Sequence, residues 1–357
     1  MRSISLEDLC AVTGGRILRR GEPHFKSIGT DTRKDLTGAL FIALKGETHD
    51  AHQYLDKALV AGAAGLLIHD ESALPVQSGK ASVVLVPDTL RALQQLGTWS
   101  RRLSRAKVVG ITGSNGKTTT KEFTAAIISQ SMSVHYNEGS FNNHWGVPFN
   151  LLQLPVDVDV AVVEMGMNHA GEITRLVEIA EPDVVVCTMV GRAHIEHFGT
   201  IDGIAAAKEE IYKAASPQAT RIYNLDNHYT LQMHLRHRYP GRSLTFSEKQ
   251  LGADVCLRVV EMDLYSMVVE GHILGESGSA RIPVFGRQNI TNLMAAAACG
   301  AAVGMDPQHI WQGLTRCKTS WGRNQILNLK SGALALFDAY NANPDSMQAL
   351  MQNIHLL

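Results

Sequence analysis

Short apolar runs and longer amphipathic stretches alternate along this chain, which is the pattern of an α/β protein. Within residues 1–85, the apolar runs Ala39–Leu44, Gly65–Ile68 and Val83–Val86 predict strands. The stretch Tyr54–Ala64 has helical periodicity. This first part of the chain therefore predicts a small α/β domain, and the amphipathic, arginine-rich segment that follows predicts a linker helix with a solvated charged face.

The next part of the chain, from Lys107 onward, repeats strand and helix signals. The apolar runs that predict its strands are Lys107–Thr112, Val158–Val163, Val184–Val190 and Arg221–Leu225. Helical stretches lie between them, and such alternation favours βαβ units in a mostly parallel sheet. The shorter alternating segments of Ala253–Val284 predict an antiparallel flank, and Asn289–Gly304 predicts an alanine-rich helix. The strand signal Ala333–Phe337 then opens a third unit.

The composition is that of a globular protein, because 45% of the 357 residues are hydrophobic and only 19% are charged. The formal net charge of −1 argues against a nucleic-acid partner bound through bulk positive charge. The five cysteines form no C-x-x-C pair, which favours a reducing compartment. Two acids near the N-terminus argue against a signal peptide, and no apolar run reaches about 18 residues. We therefore predict a cytoplasmic protein without membrane insertion.

The sharpest chemical motif is Gly113–Thr120, which lies between a predicted strand and a predicted helix. Glycines let the backbone curl so that its N–H groups point at a phosphate, while Lys117 supplies a charge and Thr118 offers a hydroxyl to Mg²⁺. Ile111 stands where the strict P-loop pattern has its first glycine. The alternative is a glycine-rich turn with an exposed lysine, but the flanking strand and helix favour a nucleotide phosphate.

Three further positions have both a functional and a purely structural interpretation. Glu164 ends a predicted strand, where it is either a magnesium ligand or a solvated carboxylate. His194 and His197 are three residues apart and are either metal ligands or ordinary polar residues. Lys208 precedes two acids in a predicted helix, and taken by itself it is best interpreted as a surface lysine.

Two loops are also rich in polar residues. Ser140–Pro148 concentrates amides and a tryptophan, as expected of a polar ligand site or of a turn. Asp338–Ser346 is dense in turn-forming residues and predicts a βα loop in which Asp345 or Ser346 caps the next helix.

Taken in this order, the motifs resemble those of the Mur ligases, the ATP-dependent family that extends the peptide of the cell-wall precursor one amide bond at a time. The segments that carry the resemblance are Thr30–Arg33, Leu40–Leu44 with Gly46–Glu47, Gly113–Thr120, Asn142–Asn143 with Gly146 and Pro148, Glu164–Gly166, Ala193–Glu196 and Asp338–Met347. The Tyr-Asn-Ala-Asn-Pro core of the last segment is similar to the member that joins D-alanyl-D-alanine to UDP-N-acetylmuramoyl-tripeptide.

The resemblance implies an α/β fold in three parts. Residues 1–85 would form the UDP-substrate-binding domain, 86–106 a linker helix, 107–328 a mostly parallel-sheet P-loop ATPase domain, and 329–357 the start of a Rossmann-like C-terminal domain. A complete third domain is larger in this family, so we expect this polypeptide to be a poor catalyst. We also expect a monomer.

The resemblance also implies ATP and Mg²⁺ as cofactors and gives roles to individual residues. The expected ATP contacts are Gly113, Ser114, Asn115, Gly116, Lys117, Thr118, Thr119, Asn289, Arg323 and Asp338. The expected metal ligands are Thr118, Glu164, His194 and Lys208, the last as a carbamylated lysine. The expected catalytic residues are Lys117, His194 and Lys208, and the expected contacts with the UDP-linked substrate are Thr32, Arg33, Asn142 and Asn143.

Two alternatives remain open at the level of the sequence. The first is another ATP-dependent amide ligase of the same superfamily, such as a folylpolyglutamate synthase or the preceding Mur enzyme. The second is a regulatory P-loop protein that binds a nucleotide without ligation. A GTP switch would carry an Asn-Lys-x-Asp motif, and the sequence contains none.

Overall fold

The computed structural model describes residues 3–75, 79–137, 139–193 and 195–355. The strands are β1 (Ile4–Ser5), β2 (Arg16–Arg19), β3 (His24–Phe25), β4 (Ser27–Gly29), β5 (Ala39–Ile42), β6 (Gly65–Ile68), β7 (Ser82–Leu85), β8 (Lys107–Thr112), β9 (Val134–Tyr136), β10 (Val160–Glu164), β11 (Val184–Cys187), β12 (Thr220–Asn224), β13 (Ser243–Phe246), β14 (Val255–Met262), β15 (Met267–Ile273), β16 (Glu276–Ile282), β17 (Gln325–Asn328) and β18 (Leu334–Phe337).

The helices alternate with these strands through most of the chain. They are α1 (Leu6–Thr13), α2 (Leu55–Val60), α3 (Thr89–Leu103), α4 (Lys117–Ile128), α5 (Gly146–Leu152), α6 (Glu172–Ala180), α7 (Ile195–Phe198), α8 (Ile201–Ala214), α9 (His228–Arg236), α10 (Asn289–Val303), α11 (Pro307–Leu314) and α12 (Pro344–His355). In the described part of the chain, no helix combines the length and the apolar character needed to cross a bilayer.

Two compact units divide the chain, and the first consists of Met1–Arg105 with His144–Asp157. Its five-stranded sheet has the order β2-β7-β6-β5-β4, with β4 to β7 parallel and β2 antiparallel at one edge. Asp88 caps the N-terminus of α3, where its side chain accepts hydrogen bonds from the N–H groups of Leu90 and Arg91. Helix α5 packs on α3 in this unit, where a methyl group added at Gly97 would meet Pro148.

The second unit, Ala106–Asn143 with Val158–Leu357, is built on a nine-stranded sheet. The strand order is β16-β15-β14-β13-β12-β11-β8-β10-β9. Pairing is parallel from β9 through β14 and antiparallel from β14 to β16, as the sequence predicts. The mostly parallel sheet and its antiparallel flank are therefore confirmed. A short hairpin of β17 and β18, followed by α12, completes this unit.

Helices cover both faces of the nine-stranded sheet. Helices α4, α10 and α11 pack on one another around a core that includes Phe123, Ile127 and Leu293. Helices α6 and α8 pack together against β8 and β11. From β8 the chain runs first to β9 and β10 on one side and then to β11 on the other. The carboxyl ends of β10, β8 and β11 thus lie side by side at a topological switch point, which is where open α/β sheets bind ligands.

Several elements differ in extent from the prediction. The helix predicted over Tyr54–Ala64 is reduced to α2, preceded by a 3₁₀ turn at Ala51–Tyr54. Helix α4 begins at Lys117, inside the predicted phosphate-loop motif, directly after Gly116 in its left-handed conformation. The polar segment Ser140–Pro148 is not entirely loop, since α5 begins at Gly146.

Candidate functional site

The glycine-rich loop joins β8 to α4 and depends on two glycines. Gly113 has φ = 150°, and a Cβ there would lie 1.9 Å from Thr188 Oγ1. Gly116 has φ = 82°, and a Cβ there would lie 2.1 Å from Asn292 Oδ1. Any side chain at these positions would both strain the backbone and collide with a neighbour. Lys117 Nζ donates to Gly113 O at 2.9 Å, so the lysine folds back over its own loop.

Residues that follow β11 hold this loop from one side. Thr188 Oγ1 donates to Asn115 O at 2.6 Å, and the Ser114 N–H donates to Met189 O at 2.8 Å. The Ser114 hydroxyl also donates to Gly191 O at 3.0 Å and accepts from the Gly191 N–H at 2.9 Å. Sequence reasoning did not find Thr188, because a threonine after a strand carries no local signal of this contact.

Helix α10 supports the loop from beneath. The predicted ATP contact Asn289 is buried, and its Oδ1 accepts from Asn292 Nδ2 at 3.0 Å. Asn292 Oδ1 in turn accepts from Thr120 Oγ1 at 3.3 Å and lies against Gly116. Asn289 is thus linked to the phosphate loop through Asn292, which the sequence analysis did not identify.

Glu164 ends β10 beside the loop and is 1% exposed, so its interpretation as a solvated carboxylate is wrong. Its Oε1 accepts from Asn142 Nδ2 at 2.7 Å. Its Oε2 is buried and has no hydrogen-bond partner among the described residues. A buried carboxylate oxygen without a partner is costly, which suggests that a cation binds there. Asn142, which the sequence predicts as a substrate contact, is therefore hydrogen-bonded to Glu164, a predicted metal ligand.

Lys208 lies on α8 and is 1% exposed, so its interpretation as a surface lysine is wrong. Burial, together with the nearby positive charge of Lys117, lowers the pKa of Lys208 to about 7. The two acids that follow it bind elsewhere. Glu209 pairs with Lys213, Arg236 and His237. Glu210 accepts from the N–H groups of Gly171 and Thr174 at the start of α6. Lys208 is therefore a buried amine without a carboxylate partner among the described residues.

Arg323 lies against the phosphate-loop helix. Its Nη2 donates to Thr118 Oγ1 at 3.0 Å, and its guanidinium stacks over the Tyr340 ring at 4.3 Å. The Tyr340 hydroxyl donates to Ser140 Oγ at 2.7 Å, and Ser140 Oγ lies 3.3 Å from Thr118 Oγ1.

The lysine of the phosphate loop is also perturbed by its surroundings. Burial lowers the pKa of Lys117, and the nearby Glu164 carboxylate opposes that effect.

The loop after β18 also contacts the phosphate loop. Asn343 Nδ2 donates to Asn115 Oδ1 at 2.6 Å. Asn343 Oδ1 accepts from the N–H groups of Asp345 and Ser346. The residue that caps α12 is therefore Asn343, and neither Asp345 nor Ser346 is the cap as predicted. Asp345 instead pairs with Arg192, with 2.9 Å between Nη2 and Oδ1. The predicted βα loop is confirmed, and its capping residue was misassigned.

The remaining predicted site residues have fewer contacts with the phosphate loop or with Glu164. Asp338 Oδ1 accepts from the N–H of Asn324, next to Arg323. In the first unit, Thr32 and Arg33 follow β4 at the carboxyl edge of its sheet, where Arg33 pairs with Asp31 at 2.8 Å. Asn143 is half-buried. Thr119 is buried in the first turn of α4. His194 lies outside the described residues.

The middle part of the chain matches a known protein family. Residues 111–300 match the Mur ligase middle domain. The chain is 36% identical over 356 residues to the UDP-N-acetylmuramoyl-tripeptide–D-alanyl-D-alanine ligase of Escherichia coli (strain K12), covering 99% of this chain and 76% of the relative. The chain belongs to the Mur ligase family.

Solved Mur ligase structures agree with this assignment. The crystal structure of MurF from Acinetobacter baumannii superposes with a TM-score of 0.91 at 32% identity, covering 100% of this chain and 77% of the other. MurF from Thermotoga maritima, solved in complex with ADP, has a TM-score of 0.79 at 27% identity, covering 92% and 74%. The α/β fold expected of a Mur ligase is therefore confirmed.

Proposed function

We propose that this Mur ligase joins D-alanyl-D-alanine to UDP-N-acetylmuramoyl-tripeptide in an ATP-dependent reaction of peptidoglycan precursor synthesis. The relatives at 30–36% identity carry this activity in their names. The observation that carries the proposal is the convergence of the phosphate loop, the buried Glu164 and the buried Lys208 on neighbouring elements of the second unit.

The chemistry explains why an ATP site is needed. A carboxylate is a poor electrophile, so ATP first transfers its γ-phosphoryl group to the terminal carboxylate of the tripeptide, releasing ADP. The amine of D-alanyl-D-alanine then attacks the acyl phosphate, loses a proton, and phosphate leaves as the amide forms. Catalysis of phosphoryl transfer rests on positioning and on neutralising negative charge. Lys117, the N–H groups of the loop and Arg323 supply positive charge for the β- and γ-phosphates.

The residues of the site fit a magnesium ion. Hard divalent cations prefer carboxylate and hydroxyl oxygens, and Glu164 Oε2 is a buried carboxylate oxygen without a partner among the described residues. Glu164 and Thr118 would hold the ion, which would neutralise phosphate charge when bound. His194 and Lys208 are the proposed ligands of a second ion.

Lys208 is proposed to act as a carbamate. Its neutral amine adds CO₂ and releases a proton, which turns a buried cation into an anionic oxygen ligand. The pKa of about 7 supports this, because a substantial fraction of the amine is neutral near physiological pH. Electron density at Lys208 in crystals grown with bicarbonate and magnesium tests the modification. Density that ends at Nζ would refute it.

The remaining assignments concern substrate and location. Thr32 and Arg33 are proposed to contact the UDP group, since they follow β4 at the carboxyl edge of the first unit's sheet. Asn142 and Asn143 are proposed to lie nearer the muramoyl end. The cysteines at 10, 187, 256, 299 and 317 are all free, which supports the proposed cytoplasmic location. A monomeric state remains a prediction that size-exclusion chromatography with light scattering checks.

The function is tested by nucleotide binding and acceptor dependence. Calorimetry should detect ADP binding, and ADP release from ATP should require both UDP-N-acetylmuramoyl-tripeptide and D-alanyl-D-alanine. Lys117→Met should lower turnover by about 10²–10³-fold. Lys107→Met is the matched control, because Lys107 Nζ binds Val303 O at the opposite end of β8. ATP hydrolysis that ignores the acceptor would favour the regulatory alternative, and a preference for glutamate would favour a folylpolyglutamate-type ligase.

A further inference from the structure

Lys121 is a buried cation to which the mechanism gives no role. Its side chain is 0% exposed and lies on α4, one helical turn after Lys117. Burying an ammonium group is costly unless its protons are bound, so its partners show what it does.

The partners of Lys121 are in the loop that follows β9. Its Nζ donates to Asn137 O at 2.5 Å and to Gly139 O at 2.8 Å. Glu122 Oε1 lies 3.7 Å away, and the Tyr136 ring centroid lies 5.7 Å away. Charge-assisted hydrogen bonds are roughly twice as strong as neutral ones, so these carbonyls are firmly held against α4.

The same loop then reaches both oxygen ligands proposed for magnesium. Ser140 Oγ lies 3.3 Å from Thr118 Oγ1. Asn142 Nδ2 donates to Glu164 Oε1 at 2.7 Å, which leaves Oε2 as the oxygen available to a cation. The Gly166 N–H donates to Asn142 O at 2.8 Å, and a Cβ at Gly166 would lie 2.7 Å from Asn142 Oδ1. The backbone at Gly166 therefore admits the Asn142 side chain only because it has no Cβ.

We propose that Lys121 is a positioning residue of the ligase, which holds the loop after β9 so that the Asn142 amide orients the Glu164 carboxylate. The inference rests on the proposed function, from which the metal-binding role of Glu164 comes. Groups that orient metal ligands affect metal affinity although they never touch the metal. A lysine that only filled space could be replaced by methionine without loss at the site.

The test replaces Lys121 by methionine, which keeps the length of the side chain and removes its donors. In the nucleotide-free variant, the backbone amides of residues 139–143 should exchange their hydrogens faster than in the nucleotide-free wild type. The magnesium concentration for half-maximal ligation should rise about tenfold, while the KM for D-alanyl-D-alanine should stay unchanged. Lys107→Met is the control, since it also removes a lysine–carbonyl bond but at the other end of β8. Lys107→Met should change neither the amide exchange at residues 139–143 nor the magnesium requirement.

A double-mutant cycle separates positioning from general destabilisation. Asn142→Ala should raise the magnesium requirement as Lys121→Met does, and the double variant should be little worse than either single variant, because both act through Glu164. Additive effects, or unchanged exchange at 139–143 in Lys121→Met, would overturn the inference. If Lys121→Met fails to fold, Lys121→Gln takes its place. Glutamine is shorter and uncharged and keeps a single amide donor group, so exchange at residues 139–143 and the magnesium requirement should change in the same direction but by less, and no change in either would overturn the inference.

The outcome is separable from that of the proposed function. Hydrogen exchange needs no substrate and no ligase activity. A wild-type protein that does not ligate D-alanyl-D-alanine would contradict the proposed function, and the exchange of residues 139–143 would still decide whether Lys121 holds the loop.

Discussion

The guanidinium of Arg323 donates a hydrogen bond to the hydroxyl of Thr118 at 3.0 Å. Arg323 also stacks over Tyr340, so its planar group is fixed in direction as well as in charge. An arginine from the segment before β17 thus contacts the first turn of the phosphate-loop helix.

Arg323→Lys should raise the KM for ATP about tenfold. Lysine keeps the positive charge, but it loses the planar guanidinium with its several N–H donors and the stacking of that group on Tyr340. Steady-state kinetics with ATP as the varied substrate measure this effect. Arg281→Lys is the control, since Arg281 forms an exposed pair with Glu261 on the antiparallel flank. Equal KM values for the two variants would contradict a nucleotide role for Arg323.

Lys208→Met should stabilise the protein in CO₂-free buffer, most strongly at low pH. The folded state lowers the pKa of Lys208 from 10.5 to about 7, so the unfolded chain binds the proton more tightly. The buried amine therefore opposes folding fully below pH 7, and this effect fades as pH rises towards 10. The expected gain in unfolding free energy near pH 6 is at most about 5 kcal/mol.

Urea unfolding of wild type and Lys208→Met across this pH range measures that gain. Lys213→Met is the control on the same helix, since Lys213 is 55% exposed and pairs with Glu209. A stability gain that does not shrink with rising pH would show that the amine is not the cause.

Glu210→Ala should destabilise the protein by about 1–2 kcal/mol. The Glu210 carboxylate accepts from Gly171 N at 2.7 Å and from Thr174 N at 3.0 Å, so it caps α6 from a neighbouring helix. Its loss leaves N–H groups at the start of α6 without a partner. Chemical denaturation checks the value. Glu178→Ala removes an exposed Arg175 pair on the same helix and should cost about 0–1 kcal/mol.

Gly116→Ala should abolish nucleotide binding, because the new methyl group would lie 2.1 Å from Asn292 Oδ1 at a φ of 82°. Gly304→Ala separates backbone strain from collision with a neighbour, since Gly304 has φ = 99° but open space where its Cβ would lie. That variant should lose about 1 kcal/mol of stability and keep nucleotide binding. Calorimetry with ADP and thermal melts measure both outcomes. Undiminished ADP binding by Gly116→Ala would contradict the proposed phosphate loop.

Local sequence patterns predicted much of the fold. The apolar runs Lys107–Thr112 and Val184–Val190 contain the strands β8 and β11, because buried parallel strands need continuous apolar residues. The phosphate loop could be found because Gly113 and Gly116 supply backbone conformations that other residues avoid. Element ends were less accurate, as at Tyr54–Ala64, because helix ends depend on tertiary contacts that periodicity does not encode.

By itself, the sequence determined the α/β class, the mostly parallel sheet and the position of the phosphate loop, since each follows from neighbours in the chain. Only the tertiary structure decided that Lys208 is buried, that Asn142 donates a hydrogen bond to Glu164 and that Lys121 donates to a carbonyl of the loop after β9. Burial and hydrogen-bond partnership depend on which distant segments meet. A lysine or asparagine carries the same local signal whether it faces water or a buried carboxylate.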